Sequence, residues 1–233
     1  MAADRFSRHL ALLGDEGLAV LQRATVAVCG AGGLGSTVLS LLARSGIGTI
    51  HIYDYGRVDA PDLNRQTLYT ASDIGFQKAA RAAALLGELG PGTTVDPHVE
   101  RIDEHTDFSG CNLVVDCLDN FGTRFLVDDA TYGAGIPLVH AGVYKYFGQV
   151  TSVQKGETRP LRELFAESAQ ALDQEPEKPM FPPAVATVAA VEAAECVRVL
   201  LPAKLRPAGG EPLFRRMVTI DLVTYEMASM PLL

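Results

Sequence analysis

Glycines and charged residues carry the chemistry in this chain, and they come in a fixed order. Gly30-Ala-Gly32-Gly33-Leu-Gly35 is followed by Asp54, by Asp62-Leu-Asn64-Arg65-Gln66, by Lys78, and by Asp116-Cys-Leu-Asp119-Asn120. Glycine lets a backbone turn tightly and approach a phosphate, and the first N–H groups of a helix offer that phosphate a positive dipole end. An acid at the end of the next strand, here Asp54, can accept hydrogen bonds from ribose hydroxyls. Together Gly30, Gly32, Gly33, Gly35 and Asp54 predict a nucleotide site.

Arg65 and Lys78 bear on which nucleotide. Two cations near a phosphate loop suit a triphosphate better than a dinucleotide, because Arg forks onto phosphate oxygens and Lys acts as a point charge. Either could equally be a solvated surface charge. An aspartate following a strand could hold Mg²⁺ between phosphates or cap the next helix. Asn120 is the better cap and Asp119 the better metal ligand.

The elements that must position these groups follow from the apolar pattern. Thr25-Val-Ala-Val-Cys29 is a short apolar run ending in glycine, as a buried parallel strand requires. Ser36 to Ser45 predicts a helix stopped at Gly46, and Thr49 to Asp54 a second strand. Residues 55–75 read as irregular. A helix over 77–89, strands over 94–101 and 112–116, a helix over 124–133 and a strand over 137–141 complete an alternation of strand and helix. Ahead of it, residues 5–23 read as helix broken at Gly14 and Gly17. Beyond it, 143–154 reads as antiparallel strands, 155–183 as a proline-rich crossover segment with a short helix at 161–171, 184–201 as a core helix, and 217–221 and 224–230 as closing strands. The predicted fold is an α/β, Rossmann-like, mostly parallel sheet with helices on both faces, extended by antiparallel strands in the C-terminal part. Residues 1–233 are expected to form one domain, with a nucleotide-binding core over 24–142.

Composition narrows the function. A formal charge of −8 and the lack of a Lys/Arg run make a nucleic-acid backbone a poor partner. No apolar run approaches the ~20 residues that span a bilayer, and the N-terminus lacks the charged-then-apolar order of a signal peptide. The four cysteines form no C-x-x-C pair. These features predict a cytoplasmic protein with reduced thiols and no membrane association. His9, His51, His98, His105 and His140 show no ligand spacing, and Tyr144, Tyr146 and Phe147 read as packing or groove residues.

On the motifs just given, joined by Arg5-Phe-Ser-Arg8-His, Gly75-Phe-Gln-Lys78, Gly148-Gln-Val and the Ala-rich helix with Glu192 to Val197, the chain resembles the ubiquitin-activating (E1-like) superfamily. It is most similar to the bacterial MoeB/ThiF/HesA adenylyltransferases. The resemblance spans nearly the whole chain. It implies an enzyme that binds MgATP and the Gly-Gly tail of a small ubiquitin-like sulfur carrier, and joins the tail carboxylate to the α-phosphate with release of pyrophosphate. It implies that Gly33 and its neighbours lie against the nucleotide, Asp54 holds the ribose, and Asn64, Arg65, Gln66, Lys78 and Asn120 attend the bound nucleotide. It further implies Asp119 as the Mg²⁺ ligand, and a homodimer in which Arg8 reaches the partner's site. Catalysis would be electrostatic and positional, with Arg65, Lys78, Asp119 and Arg8 as its agents.

Three departures from the family pattern stand out. The first zinc C-x-x-C pair is replaced by Thr158-Arg-Pro-Leu-Arg-Glu-Leu-Phe165 and the second would fall beyond Leu233, so no zinc site is expected. The crossover segment Asp173-Gln-Glu-Pro-Glu-Lys-Pro-Met-Phe181 holds no cysteine, which argues against a thioester or persulfide step. The motif Asn-Leu-x-Arg-Gln begins here with Asp62, and an acid there repels phosphates unless Mg²⁺ or Arg65 compensates. Competing readings are a tRNA threonylcarbamoyladenosine dehydratase-like enzyme, a non-catalytic scaffold subunit and an NAD-dependent oxidoreductase.

Overall fold

The computed structural model describes residues 5–174 and 178–232. Expectations for residues 1–4, for 175–177 of the crossover segment and for Leu233 lie outside the described residues.

Eight strands form one sheet: β1 (Thr25–Cys29), β2 (Thr49–Tyr53), β3 (Thr94–His98), β4 (Leu113–Asp116), β5 (Leu138–Tyr144), β6 (Phe147–Val153), β7 (Arg216–Asp221) and β8 (Glu226–Pro231). Their order is β3-β2-β1-β4-β5-β6-β7-β8. The pairings from β3 through β5 are parallel, and those from β5 through β8 antiparallel. Strand order reverses at β1, with β2 on one side and β4 on the other, which is the point where open α/β sheets place their ligands.

The helices are α1 (Ser7–Arg23), α2 (Gly33–Ser45), α3 (Lys78–Leu89), α4 (Phe121–Ala134), α5 (Leu161–Leu164), α6 (Ala166–Asp173) and α7 (Pro182–Leu200). β1 shows why the central strands are apolar throughout. Val26 and Val28 pack into one layer with Leu39, Leu42, Ala82, Val188 and Cys196 from α2, α3 and α7. Ala27 and Cys29 face the other layer, with Phe121, Val127, Leu161 and Phe165 from α4, α5 and the turn that follows. A strand covered on both faces has no polar side to show.

Several boundaries differ from expectation for local reasons. α2 begins at Gly33 rather than Ser36, because the last two glycines of the loop already lie inside its first turn. It ends in a left-handed Gly46 at φ 89°, whose conformation a side chain would strain. α1 breaks once, at Gly14 (φ 65°), while Gly17 stays helical and buried. α4 starts three residues early, at Phe121, since Asn120 caps it by accepting from the Thr123 N–H at 2.8 Å. β3 stops at His98, and β5 runs on to Tyr144, where a tight turn through Lys145 returns the chain as β6. No helix among the described residues is long and apolar enough to cross a membrane.

Candidate active site

A cavity of about 670 Å³ opens at the carboxyl ends of β1, β2 and β4 and continues along β5–β8. Its floor is the glycine loop. Gly30 adopts φ 97°, and a side chain there would meet the Cys117 carbonyl at 2.7 Å. A Cβ on Gly35 would lie 1.9 Å from the Gly30 carbonyl oxygen, so only glycine lets α2 pack against the turn beneath it. A Cβ on Gly32 would meet only Gln66 Nε2, at 3.7 Å, because that residue faces the open cavity. The N-terminus of α2 has no side-chain cap. Its first N–H groups and its dipole therefore point into the cavity without a protein anion to satisfy them.

Asp54 directly follows β2 beside this loop. Its Oδ2 accepts the Ala31 N–H at 2.8 Å and its Oδ1 the Gly56 N–H at 2.7 Å. The carboxylate thereby locks the loop and still presents lone pairs to the cavity that it lines.

The cations come from the segment after β2. Residues 60–64 form a short 3-10 turn capped by Asp59, and Lys78 opens α3. Asp62 gathers them: its Oδ2 lies 2.9 Å from Lys78 Nζ, its Oδ1 accepts from Gln66 Nε2 at 2.6 Å, and Arg65 Nη2 is 3.7 Å away. Arg65 also donates to the Asn64 side chain and to the Pro61 carbonyl. Asp62, Arg65, Gln66 and Lys78 all line the cavity. The acid that departs from the family motif is thus the internal counter-ion of Lys78.

Opposite stands the loop after β4. Asp116 is fully buried, and its Oδ2 accepts from His140 Nδ1 at 2.7 Å while its Oδ1 accepts the Leu118 N–H. Burial alone would raise this carboxyl, but Arg124, His140 and the Leu118 N–H outweigh it and hold it below the ordinary range. Burial lowers the pKa of His140, against the opposing pull of the Asp116 carboxylate. Asp116 is committed to the scaffold. Asp119 is exposed at the cavity, and among the described residues its carboxylate accepts from the neighbouring Asn120 amide at 3.2 Å.

Of the residues singled out from the sequence, Gly30, Gly32, Gly33, Asp54, Arg65, Gln66, Lys78 and Asp119 converge on the cavity. Gly35 lies under the loop and Asn120 is spent as a helix cap. Asn64 and Arg8 are exposed and do not line it. Three contributors were not anticipated. Asp173, at the end of α6, accepts the Phe121 N–H at 2.9 Å on α4, and Lys178 donates to the Asp119 carbonyl, so the crossover segment closes one wall. Arg124 is buried and donates to the Leu118 carbonyl, holding up the Asp119 loop. A charge sharing a helix face with Phe121, Val127 and Asp128 was the available signal for Arg124, whereas Asp173 and Lys178 belong to a stretch whose path only tertiary structure sets.

The far half of the cavity is a groove lined by Tyr144, Phe147, Gly148, Gln149, Thr219 and Ile220. Gly148 is obligatory here, since a Cβ would lie 2.0 Å from Val188 Cγ2. Cys117 lines the cavity, but its thiol is directed at the buried Glu192 carboxyl, 3.7 Å away. Cys29, Cys117 and Cys196 are buried, and burial pushes each well up, so none offers a thiolate.

Uncapped helix N–H groups, an Arg–Lys pair and an exposed carboxylate suit a polyphosphate with a hard divalent cation. Comparisons with known proteins agree with this chemistry. A sequence model of the ThiF family matches residues 6–232. The Thermus thermophilus protein named sulfur carrier protein adenylyltransferase is 38% identical over 210 residues, which is 85% of this chain and 78% of that one. The Haloferax volcanii protein named SAMP-activating enzyme E1 is 40% identical over 155 residues, 64% of this chain, and the matched stretch spans 57% of that relative's length. Among solved structures, E. coli MccB with ATP superposes with a TM-score of 0.84 over 100% of this chain and 72% of that one, at 22% identity, a likeness of fold.

Proposed function

This chain belongs to the ThiF family, and from that premise we propose that it is a cytoplasmic, MgATP-dependent adenylyltransferase. Its substrate is the C-terminal glycine carboxylate of a small ubiquitin-like sulfur carrier. One observation carries the reading: a single cavity joins an open, cation-flanked phosphate cradle to a strand-lined groove that ends at the same loop.

The cradle would take the nucleotide with its phosphates over Gly30, Gly32 and Gly33 and its ribose against Asp54. Arg65 and Lys78 would lie along the phosphates, and Asp119 would hold Mg²⁺, whose contribution when bound is to neutralise phosphate charge. The groove would accept an extended Gly-Gly tail, which has no side chains to clash with Tyr144 or Phe147. The tail carboxylate is already ionised and needs no general base. It attacks the α-phosphorus, a new C–O–P bond forms, and the bond to pyrophosphate breaks. Lys78 and Arg65 offset the charge gathering on the leaving oxygens, an electrostatic contribution fixed before reaction. Asn64 acts by orienting Arg65, Gln66 through Asp62, and Asn120 through the cap of α4. The buried thiols support a reaction that stops at the adenylate. We also propose a homodimer in which Arg8 of each copy completes the other's site.

The test is mass spectrometry of a Gly-Gly-ended carrier incubated with the protein and MgATP. An AMP adduct on the carrier's terminal carboxylate is expected. Its absence with every carrier encoded in the same genome, under conditions where ATP binds, would overturn the substrate assignment.

A further inference from the structure

A second constellation sits at the edge of the sheet, beside the cavity that Tyr53 and Glu100 line. β3 is the edge strand and pairs in parallel with β2, so that His51 lies opposite Asp96 and Tyr53 opposite His98. These side chains share one face, the face on which β1 presents Ala27 and Cys29. Three ligand atoms converge there: His51 Nδ1 is 3.0 Å from His98 Nε2, and Asp96 Oδ2 is 3.3 Å from the first and 3.4 Å from the second. Among the described residues this is the group of three His, Cys, Asp or Glu side chains whose ligand atoms meet closely enough to hold a metal ion. The linear spacing of the histidines hid it, because the ligands come from two strands 45 or more residues apart.

We propose that His51, Asp96 and His98 form a binding site for a divalent ion of the zinc class, clamping the edge strand β3 to β2. Zinc holds imidazole nitrogen and carboxylate oxygen at ~2.0–2.2 Å in a tetrahedron, whose ligands are then about 3.3 Å apart. The observed triangle has nearly that edge on every side. Two imidazoles and one carboxylate match what such ions prefer, whereas Mg²⁺ and Ca²⁺ select oxygen sets. The surroundings hold the ligands in place. The His98 ring stacks on Tyr53 with centroids 4.3 Å apart and planes 8° apart. Its other nitrogen, Nδ1, faces Glu100 Oε1 at 3.7 Å, the outer carboxylate that commonly fixes a ligating histidine. The two histidine side chains are 27% exposed and Asp96 54%, which leaves the fourth position to water. The edge strand also carries Pro97, which cannot donate to a further strand. A metal clamp would secure a short strand that has a neighbour on one side only. This proposal does not depend on the nucleotide reading.

The experiment is titration of the tag-free, chelator-treated full chain with Co²⁺ and Zn²⁺. Co²⁺ should give the intense visible absorption of a four-coordinate site at one ion per chain, and Zn²⁺ should displace it and raise Tm. His51→Ala and His98→Ala should each weaken Zn²⁺ binding at least 100-fold and abolish the Tm rise. Glu100→Gln should weaken it about tenfold, as loss of an outer carboxylate does. His105→Ala and Cys111→Ser should change nothing. Glu100→Gln and Asp96→Asn, which keep shape, serve should an alanine variant fail to fold; unchanged affinity in Asp96→Asn would contradict the site. Stoichiometric binding that survives His98→Ala, binding that follows Cys111 instead, or no saturable Co²⁺ signal would overturn the proposal.

Discussion

The carboxylate of Asp62 lies 2.9 Å from the ammonium of Lys78, and both line the cavity that faces the glycine loop. Asp62 also accepts from the Gln66 amide and the Asp59 N–H, so its position is fixed from three sides. Lys78 is thus held ready and partly neutralised before any phosphate arrives. Asp62→Asn would remove that counter-charge while keeping the shape of the side chain. ATP KM should fall about three- to tenfold, a change worth roughly 1 kcal/mol. Steady-state kinetics at fixed ionic strength reads it. A rise in KM would show that the acid serves to aim Lys78 rather than to restrain it.

Two glycines of one loop should respond in opposite ways. Gly32→Ala has room for its methyl in the protein but would occupy the floor of the cradle. Stability should stay within about 1 kcal/mol of the parent, while ATP affinity drops at least tenfold. Gly35→Ala would drive a methyl into the Gly30 backbone and should cost several kcal/mol, of the order seen for overpacking or more. Thermal melts and nucleotide titration on both variants separate the two effects. Equal losses of stability would contradict the geometry.

What was legible in the sequence followed from local rules. β1, β2, β4 and β5 are apolar runs bounded by turn residues, and glycines mark the ends of α2 and α4, so element type and order could be read directly. Gly30, Asp54, Lys78 and Asp119 were readable because each sits at the end of such an element. Asp62 was recognised as a departure, yet its effect was not, because its partner Lys78 is sixteen residues away and joins it only through the 3-10 turn. Asp173 and Arg124 were missed for the same reason: their partners, the α4 N-terminus and the Leu118 carbonyl, are set by packing rather than by spacing. The cross-strand meeting of His51 with His98 is of this kind too, since register is a property of the pair of strands.

Asp128 should make stability depend on pH. It is buried on α4, accepts the Leu161 N–H at 2.7 Å, and leaves its Oδ1 without a partner. Burial pushes its carboxyl from an ordinary 3.8 up to about 7, with Asp129 and Asp116 adding to the rise against the Leu161 N–H. Between about pH 4 and 7 the folded state therefore keeps a proton that the unfolded chain has lost. Stability should fall as pH rises through that window and level off above it, by an amount on the order of a few kcal/mol. Asp128→Asn should remove this slope, raising Tm by several degrees at pH 8 and leaving it nearly unchanged at pH 4. A Tm gain of equal size at both values would show that ionisation is not the cause.

The proposed homodimer makes a complementation prediction. Arg8 is exposed on α1 and lies outside the cavity of its own chain. Arg8→Ala and Lys78→Ala proteins should each be inactive alone, and mixing them should restore up to about a quarter of wild-type activity, the share of sites that random pairing leaves intact. No recovery after subunit exchange, with dimers verified by light scattering, would place Arg8 outside the reaction.

The most direct test of the central claim is carrier-dependent exchange of labelled pyrophosphate into ATP, which reports reversal of adenylate formation. Wild-type protein should exchange only with MgATP and a Gly-Gly-ended carrier, and Lys78→Ala and Asp119→Ala should each lower the rate by at least 100-fold, about 2.7 kcal/mol of transition-state stabilisation. Exchange that persists at near wild-type rate in both variants would contradict the assignment of this cavity to adenylyl transfer.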